Sequence, residues 1–158
     1  MSFSPALDLA YRRTRYRVFL PWGPLDLRVG ERHPELDAWL ERQGFSCWSL
    51  LTAWNPGSCL LPVEENRSRQ ARMEQELRDR GFRPLPGENH AGDGGWPPEA
   101  SLLVPGMGRD EAWQVARAFA QNAFLAGASR GVAELLWIDS LICNTFGLEE
   151  FPGPLLHR

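Results

Sequence analysis

The spacing of apolar and polar residues predicts that helices and strands follow one another along most of the chain. Leu25 to Val29 alternates between apolar and charged residues, the period of a strand with one buried face. Phe45 to Trp54 is an almost continuous apolar run, which is typical of a central strand buried on both faces. Residues 62–80 have helical spacing and form the longest predicted helix. The other predicted elements are helices over 5–13, 34–43 and 110–121, and strands over 16–20, 82–85, 101–104, 122–126 and 132–138.

This order predicts an α+β protein in which about three helices pack on a mixed β-sheet, as a two-layer or three-layer sandwich. No repeat or linker interrupts the pattern, so residues 1–138 are expected to form a single domain. Residues 139–158 are expected to form a tail rich in Pro and Gly, packed on the domain or extending from it. The one long loop is predicted over 86–98, and a loop of this length is often functional or mobile.

Composition and charge exclude several classes of protein. The chain has 158 residues and 43% apolar content, which is too apolar for a disordered chain. It has 17 basic and 20 acidic side chains and a net charge of −3, whereas a general nucleic-acid-binding protein would have a basic excess. All the basic residues are Arg. The absence of Lys excludes P-loop phosphate binding and Schiff-base catalysis.

No part of the sequence predicts secretion, membrane insertion or a metal site. No apolar run follows the N-terminal residues as in a signal peptide, and none is long enough to span a bilayer. The three cysteines are odd in number and have no CxxC spacing, so a disulfide framework is not indicated. We therefore expect a cytoplasmic protein without a membrane partner. The histidines are scattered without metal-ligand spacing, so neither a metal nor a cofactor is predicted.

Polar side chains stand at the ends of several apolar elements, where a core would normally continue. Thr52 lies in the predicted buried strand, Asn55 follows it, and Asn66 begins the long helix. In open α/β sheets, ligands bind beyond the carboxyl ends of the strands, so these side chains are expected to meet at one pocket. The candidate ligand-binding residues are Thr52, Trp54, Asn55, Glu65, Asn66, Trp96, Ser101, Gln121 and Asn122.

Glu99 is the candidate catalytic residue. A carboxyl group buried beside Trp96 would have a raised pKa, which general acid–base catalysis at neutral pH requires. Amide side chains and tryptophan rings suit a planar polar ligand such as a nucleobase. Each of these residues also has a structural explanation, as a turn, a helix cap or a buried amide, so catalysis stays an open question.

Arginines are concentrated in two parts of the chain. In the long helix they alternate with acidic residues, which is typical of a solvated, neutralised face. At the N-terminus, Arg12, Arg13, Arg15 and Arg17 have fewer acidic neighbours. The N-terminal group is therefore the better candidate for binding an anion.

Five short motifs follow one another along the chain: Tyr11–Thr14–Tyr16, Thr52-Ala53-Trp54-Asn55-Pro56, Glu65-Asn66, Trp96-Pro97-Pro98-Glu99-Ala100-Ser101 and Ala120-Gln121-Asn122-Ala123. This ordered set resembles the bacterial family catalogued as domain of unknown function 3293. Ala120 stands where the family usually has Gly, and Pro98 and Ala100 stand where it more often has Glu and Ser. The resemblance covers roughly residues 11–138 and implies a small bacterial cytoplasmic protein without an established activity.

Two functions are compatible with the sequence. The first is the binding of a small polar or planar, nucleotide-like ligand, which requires Asn55, Asn66, Glu99 and Gln121 to line one concave pocket. The second is a non-catalytic protein-interaction module, in which some of the seven tryptophans form an apolar docking surface. A protein partner or self-association stays open under this second function.

Overall fold

The computed structural model describes residues 4–138, which form four α-helices, one 3₁₀ turn and seven strands. The α+β class is therefore confirmed. The four helices correspond to the four predicted helical segments, one more than the three or so that were expected to pack on the sheet. The elements are α1 (Pro5–Arg13), β1 (Arg15–Leu20), β2 (Gly23–Leu27), α2 (Pro34–Gln43), β3 (Cys47–Leu51), the 3₁₀ turn (Pro56–Ser58), α3 (Val63–Asp79), β4 (Leu85–His90), β5 (Glu99–Pro105), α4 (Arg109–Ala118), β6 (Ala123–Ala128) and β7 (Glu134–Trp137).

All seven strands belong to one sheet in the order β2-β1-β4-β5-β3-β6-β7, and every neighbouring pair is antiparallel. The prediction of a mixed sheet was wrong. It was inferred from the order of helices and strands along the chain, since helices between strands are common in sheets with parallel neighbours. In this chain β3 is apolar because the sheet has a hydrophobic core on each face.

Alternation along the strands assigns neighbouring residues to different cores. Leu51 packs with Met73 of α3 and Val115 of α4 on one face of the sheet. Leu50 packs with Leu36 of α2 on the other face, because successive side chains of a strand point in opposite directions. The layers differ from a regular sandwich, since α1 buries no residue in either core.

Local signals in the sequence explain several helix ends. Ser4 caps α1 by accepting a hydrogen bond from the N–H group of Leu7, and Pro5 occupies the first turn. Gly44 ends α2 in the left-handed conformation, with φ of 85°, as its position in the sequence predicts. The helix predicted over 110–121 is shorter and ends at Ala118.

The strand predicted over 82–85 was placed too early in the chain. It begins at Leu85 and runs to His90, so the long loop covers 91–98 rather than 86–98. Pro, Gly and Asn have low strand propensity, but β4 pairs on both sides, with β1 and β5, and this pairing overrides propensity. The predicted tail over 139–158 lies outside the described residues.

The antiparallel order brings specific strand ends together at one end of the sheet. The amino ends of β1, β5 and β6 lie beside the carboxyl ends of β4, β3 and β7. The helix α1 is also at this end, since only Thr14 separates it from β1. This end of the sheet contains the candidate site.

Candidate functional site

A cavity of about 600 Å³ lies at this end of the sheet, between the strands, α1 and the loop 91–98. Its size is in the range of small-molecule sites in proteins. Leu7, Ala10 and Tyr11 of α1 form one wall. The predicted site residues that line the cavity are Thr52, Asn55, Trp96, Glu99 and Gln121.

Asn55 has a backbone conformation that few residues adopt and a side chain that is held by three hydrogen bonds. Its φ of 45° is in the left-handed region, which Asn tolerates better than most residues. Its Oδ1 accepts hydrogen bonds from Asn66 Nδ2 at 2.7 Å and from the N–H group of Leu61 at 3.0 Å. Its Nδ2 donates to Glu99 Oε2 at 2.9 Å. Asn55 thus has a fixed orientation toward the carboxylate.

Glu99 is held by two donors that act on the same oxygen. Its Oε2 accepts hydrogen bonds from Asn55 Nδ2 and, at 2.6 Å, from Trp96 Nε1. Burial raises the pKa of Glu99 above its ordinary value, although both hydrogen bonds favour the ionised form. Within residues 4–138, Oε1 accepts no hydrogen bond.

Thr52 and Gln121 brace the cavity wall through backbone contacts. Thr52 Oγ1 donates to the Ala100 carbonyl at 2.7 Å and accepts from the N–H group of Trp54 at 3.0 Å. Gln121 Nε2 donates to the Trp54 carbonyl at 3.2 Å. Gln121 Oε1 makes no hydrogen bond to the described residues and can accept one from a ligand.

Asn66 supports the site from behind. It is 1% exposed, does not line the cavity and hydrogen-bonds Asn55 through both of its amide atoms. Gln70 and Arg69 of the same helix bind the backbone of Ala53. The polar residues at the start of α3 therefore hold the segment that follows β3. This is the structural explanation, as buried amides, that the sequence also allowed for Asn66.

The remaining predicted site residues lie outside the cavity wall. Trp54 does not line the cavity, but its backbone hydrogen-bonds Thr52 and Gln121, which do; Glu65 is exposed on the first turn of α3. Ser101 is buried farther along β5. Asn122 is buried and donates to Ser58 Oγ at 2.6 Å.

Several polar residues of the cavity, among them Asn89, Tyr11 and Ser58, were not among the predicted site residues. Asn89 lies opposite both Tyr16 and Glu99 in the sheet, and its buried Oδ1 has no hydrogen-bond partner. Tyr11 Oη lies 3.4 Å from Ser58 Oγ, and burial raises its pKa. Tyr11 belongs to the first family motif, which could have pointed to it. Asn89 was missed because the sequence placed it in a loop.

Charged groups are few in the cavity wall. Arg13 is the one cationic side chain among the described lining residues, and Asp93 and Glu99 are the acidic ones. Within 4–138, no three His, Cys, Asp or Glu side chains are grouped so that they could hold a metal ion. No helix in this part of the chain has both the length and the apolar character to span a bilayer.

The fold and the site define an α+β protein with a cavity at one end of an antiparallel sheet. Residues 51–124 match the model of the family described as protein of unknown function (DUF3293). Over these residues the chain is similar to the family that its motifs indicate. The match runs from the last residue of β3 into β6 and includes Asn55, Glu99 and Gln121 of the cavity wall. No curated protein and no solved structure matches the chain significantly.

Proposed function

We propose that the cavity binds a small, planar, polar ligand of the nucleobase type. The observation that carries this proposal is the arrangement of Glu99. One carboxylate oxygen is held by Asn55 and Trp96, and the other is left for a ligand in a largely buried setting. A buried hydrogen bond to a charged group contributes more than a neutral one, so this oxygen would dominate recognition.

The unused hydrogen-bonding atoms around the cavity indicate the ligand's polarity. Glu99 Oε1, Asn89 Oδ1 and Gln121 Oε1 are all acceptors, and none receives a hydrogen bond from the described residues. A ligand with several N–H groups on one edge would satisfy them. Amino-substituted nucleobases have such an edge.

Aromatic side chains favour a planar ligand. Trp96, Tyr11 and Phe124 line the cavity and offer flat apolar faces on which a ring can stack. The hydrogen bond from Trp96 Nε1 to Glu99 fixes one of these rings beside the carboxylate. Stacking and hydrogen bonding would then act on the same ligand.

The test is a thermal-shift screen of nucleobases and nucleosides, followed by calorimetric titration of each compound that stabilises the protein. Glu99→Gln keeps the size of the side chain and removes its charge, so affinity should fall about tenfold or more. Glu65→Gln is the matched control, because Glu65 is exposed outside the cavity. Equal affinity in Glu99→Gln and the unchanged protein would refute this role for the carboxylate.

Glu99 is also our candidate for proton transfer to or from the bound ligand. Its raised pKa brings the carboxyl nearer to the neutral range in which general acids and bases work best. If it acts in this way, turnover of a bound ligand should be lost in Glu99→Gln, whereas binding would only weaken.

A protein-interaction module is the second proposed function. Its support is the turn between β1 and β2, where Trp22 is 47% exposed and meets Trp39 edge-on with ring centroids 6.2 Å apart. Phe19 is also exposed, at 38%. Self-association through this surface would appear as a dimer in light scattering, and Trp22→Ser should restore the monomer.

A further inference from the structure

A second, smaller cleft adjoins the cavity, and we propose that it binds the phosphate group of a ligand whose planar part occupies the cavity. The cleft has a volume of about 290 Å³ and is lined by Arg13, Arg15, Arg28, Gly92 and Asp93. The position of the planar part rests on the proposed function, whereas the phosphate site stands on the cleft itself.

The three arginines reach the cleft from different elements. Arg13 ends α1, Arg15 begins β1, and Arg28 directly follows β2. The fold therefore brings Arg28 next to two arginines of the N-terminal basic run, a grouping that the sequence alone does not show. A guanidinium group can donate two parallel hydrogen bonds to the oxygens of one phosphate, which the ammonium group of Lys cannot do. This suits a chain whose basic residues are all Arg.

These arginines are weakly neutralised by the protein. Arg13 makes no ion pair within residues 4–138. The one hydrogen bond from the Arg28 side chain to this part of the chain is long, at 3.4 Å, and goes to the Arg13 carbonyl. Arg15 lies 3.8 Å from Asp26, but Asp26 is already held at 2.8 Å by Arg17. The guanidinium groups thus keep hydrogen-bonding capacity for an anion.

Asp93 is the acidic residue among those that line the cleft. Its Oδ1 accepts a hydrogen bond from the N–H group of Gly95 at 2.8 Å, within its own loop. Three guanidinium groups facing one carboxylate leave a net positive cleft. This is the reverse of the cavity, where Glu99 provides the buried charge.

The cleft and the cavity share part of their walls. Arg13, Gly92 and Asp93 line both spaces. The loop passes so close to the end of α1 that a Cβ on Gly92 would lie 2.6 Å from the Arg13 carbonyl oxygen. A ligand seated in the cavity would place a substituent beside this shared wall, next to Arg13, which lines both spaces.

Together the two spaces complement a nucleoside monophosphate. Its base would donate N–H hydrogen bonds to the unused acceptors at and around Glu99, and its phosphate would pair with the arginines. A phosphate placed in the cavity would be repelled by the carboxylate of Glu99, so we expect the phosphate to lie in the cleft instead.

The experiment compares each nucleoside that binds with its 5′-monophosphate by calorimetry at low salt. The monophosphate should bind about tenfold tighter or more, since it gains charge-assisted hydrogen bonds. The double variant Arg13→Gln/Arg28→Gln should lose this gain. Arg12→Gln should keep it, because Arg12 pairs with Asp8 and does not line the cleft.

Glu99→Gln separates this proposal from the proposed function. It should weaken nucleoside and monophosphate by the same factor and leave their ratio unchanged. If a nucleoside binds but its monophosphate binds no tighter, the phosphate site is refuted and the cavity function stands.

Inorganic phosphate alone gives an independent test when no nucleoside binds. Titration should shift the side-chain Nε–H resonances of Arg13, Arg15 and Arg28 in nuclear magnetic resonance spectra, with Arg12 unchanged. These selective shifts would support the phosphate site even though the cavity function had failed. Absent shifts, or equal shifts at Arg12, would refute it.

Discussion

Two buried asparagines connect the end of β3 to α3. Asn55 and Asn66 exchange two hydrogen bonds, of 2.8 Å and 2.7 Å, and both are at least 95% buried. Paired buried amides avoid the cost of leaving polar groups without partners in a low-dielectric interior. They also fix the direction in which Asn55 presents its amide hydrogens to Glu99. One pair of side chains thus stabilises the fold and orients the site.

Asn66→Ala should destabilise the protein by about 2 kcal/mol, because it leaves the backbone N–H and the Oδ1 of Asn55 with fewer partners. The free energy of unfolding from urea titration measures this loss. Gln75→Ala, at an exposed amide of the same helix, should change it by less than about 0.5 kcal/mol. Equal losses in the two variants would contradict the bracing role of Asn66.

The carboxyl of Glu99 gives stability a definite dependence on pH. Its pKa is raised in the folded state above the ordinary value of 4.5, so the folded state binds the proton more tightly than the unfolded state. Its contribution to stability is therefore largest below pH 4.5 and declines as pH rises through the folded pKa.

Comparison with Glu99→Gln isolates this effect. The unfolding free energy of the unchanged protein, relative to that of Glu99→Gln, should fall by up to about 1.4 kcal/mol for each pH unit between the two pKa values and then level off. Urea titrations at a series of pH values measure it. A difference that stays flat with pH would exclude the raised pKa.

At the scale of elements, the spacing of apolar residues predicted those elements that bury one face. The helical spacing over 62–80 predicts one inward face, and the buried residues of α3 follow that spacing: Asn66, Gln70, Met73 and Leu77. The strand β4 could not be found in this way. Its sequence has Pro86, Gly87 and Asn89 where strand-forming residues are expected, and it is a strand because both neighbours pair with it.

Gly87→Ala tests the close packing of β4 between its neighbours. A Cβ at this position would lie 2.5 Å from the Arg17 carbonyl oxygen and 2.7 Å from Ser101 Oγ, so the sheet must shift. We expect a loss of about 3 kcal/mol in unfolding free energy. Gly108→Ala, where a Cβ would meet no atom within 4 Å, should cost less than about 1 kcal/mol. If Gly87→Ala had the same free energy of unfolding as the unchanged protein, this close packing of β4 would be contradicted.

At the scale of the whole molecule, the sequence predicted that polar residues at strand ends lie close together, but the reason it gave was wrong. The prediction used the rule for parallel sheets, in which carboxyl ends of strands share one edge. In this antiparallel sheet, the carboxyl end of β3 meets the amino ends of β5 and β6. Asn55, Glu99 and Gln121 converge as a result. The role of α1 was not predictable, since its short apolar face gave no sign of what it covers.

The cavity joins segments that are distant along the chain, so ligand binding should protect them together. A nucleoside or nucleotide found in the screen should slow backbone hydrogen exchange in α1, in 52–58 and in the loop 91–98, all of which contribute to the wall. The helix α4 and the turn between β1 and β2 do not line the cavity and should change less. Mass spectrometry of the exchanged peptides measures the pattern.

The same exchange experiment on Glu99→Gln is the control for this pattern. At one ligand concentration, the variant should show weaker protection in all three segments, because they respond to a single bound molecule. Protection that appears only in α4, or that survives unchanged in the variant, would place the ligand elsewhere. Protection of the three segments as a unit would instead mean that α1, the turn after β3 and the loop before β5 form one binding site, assembled by the antiparallel order of the strands.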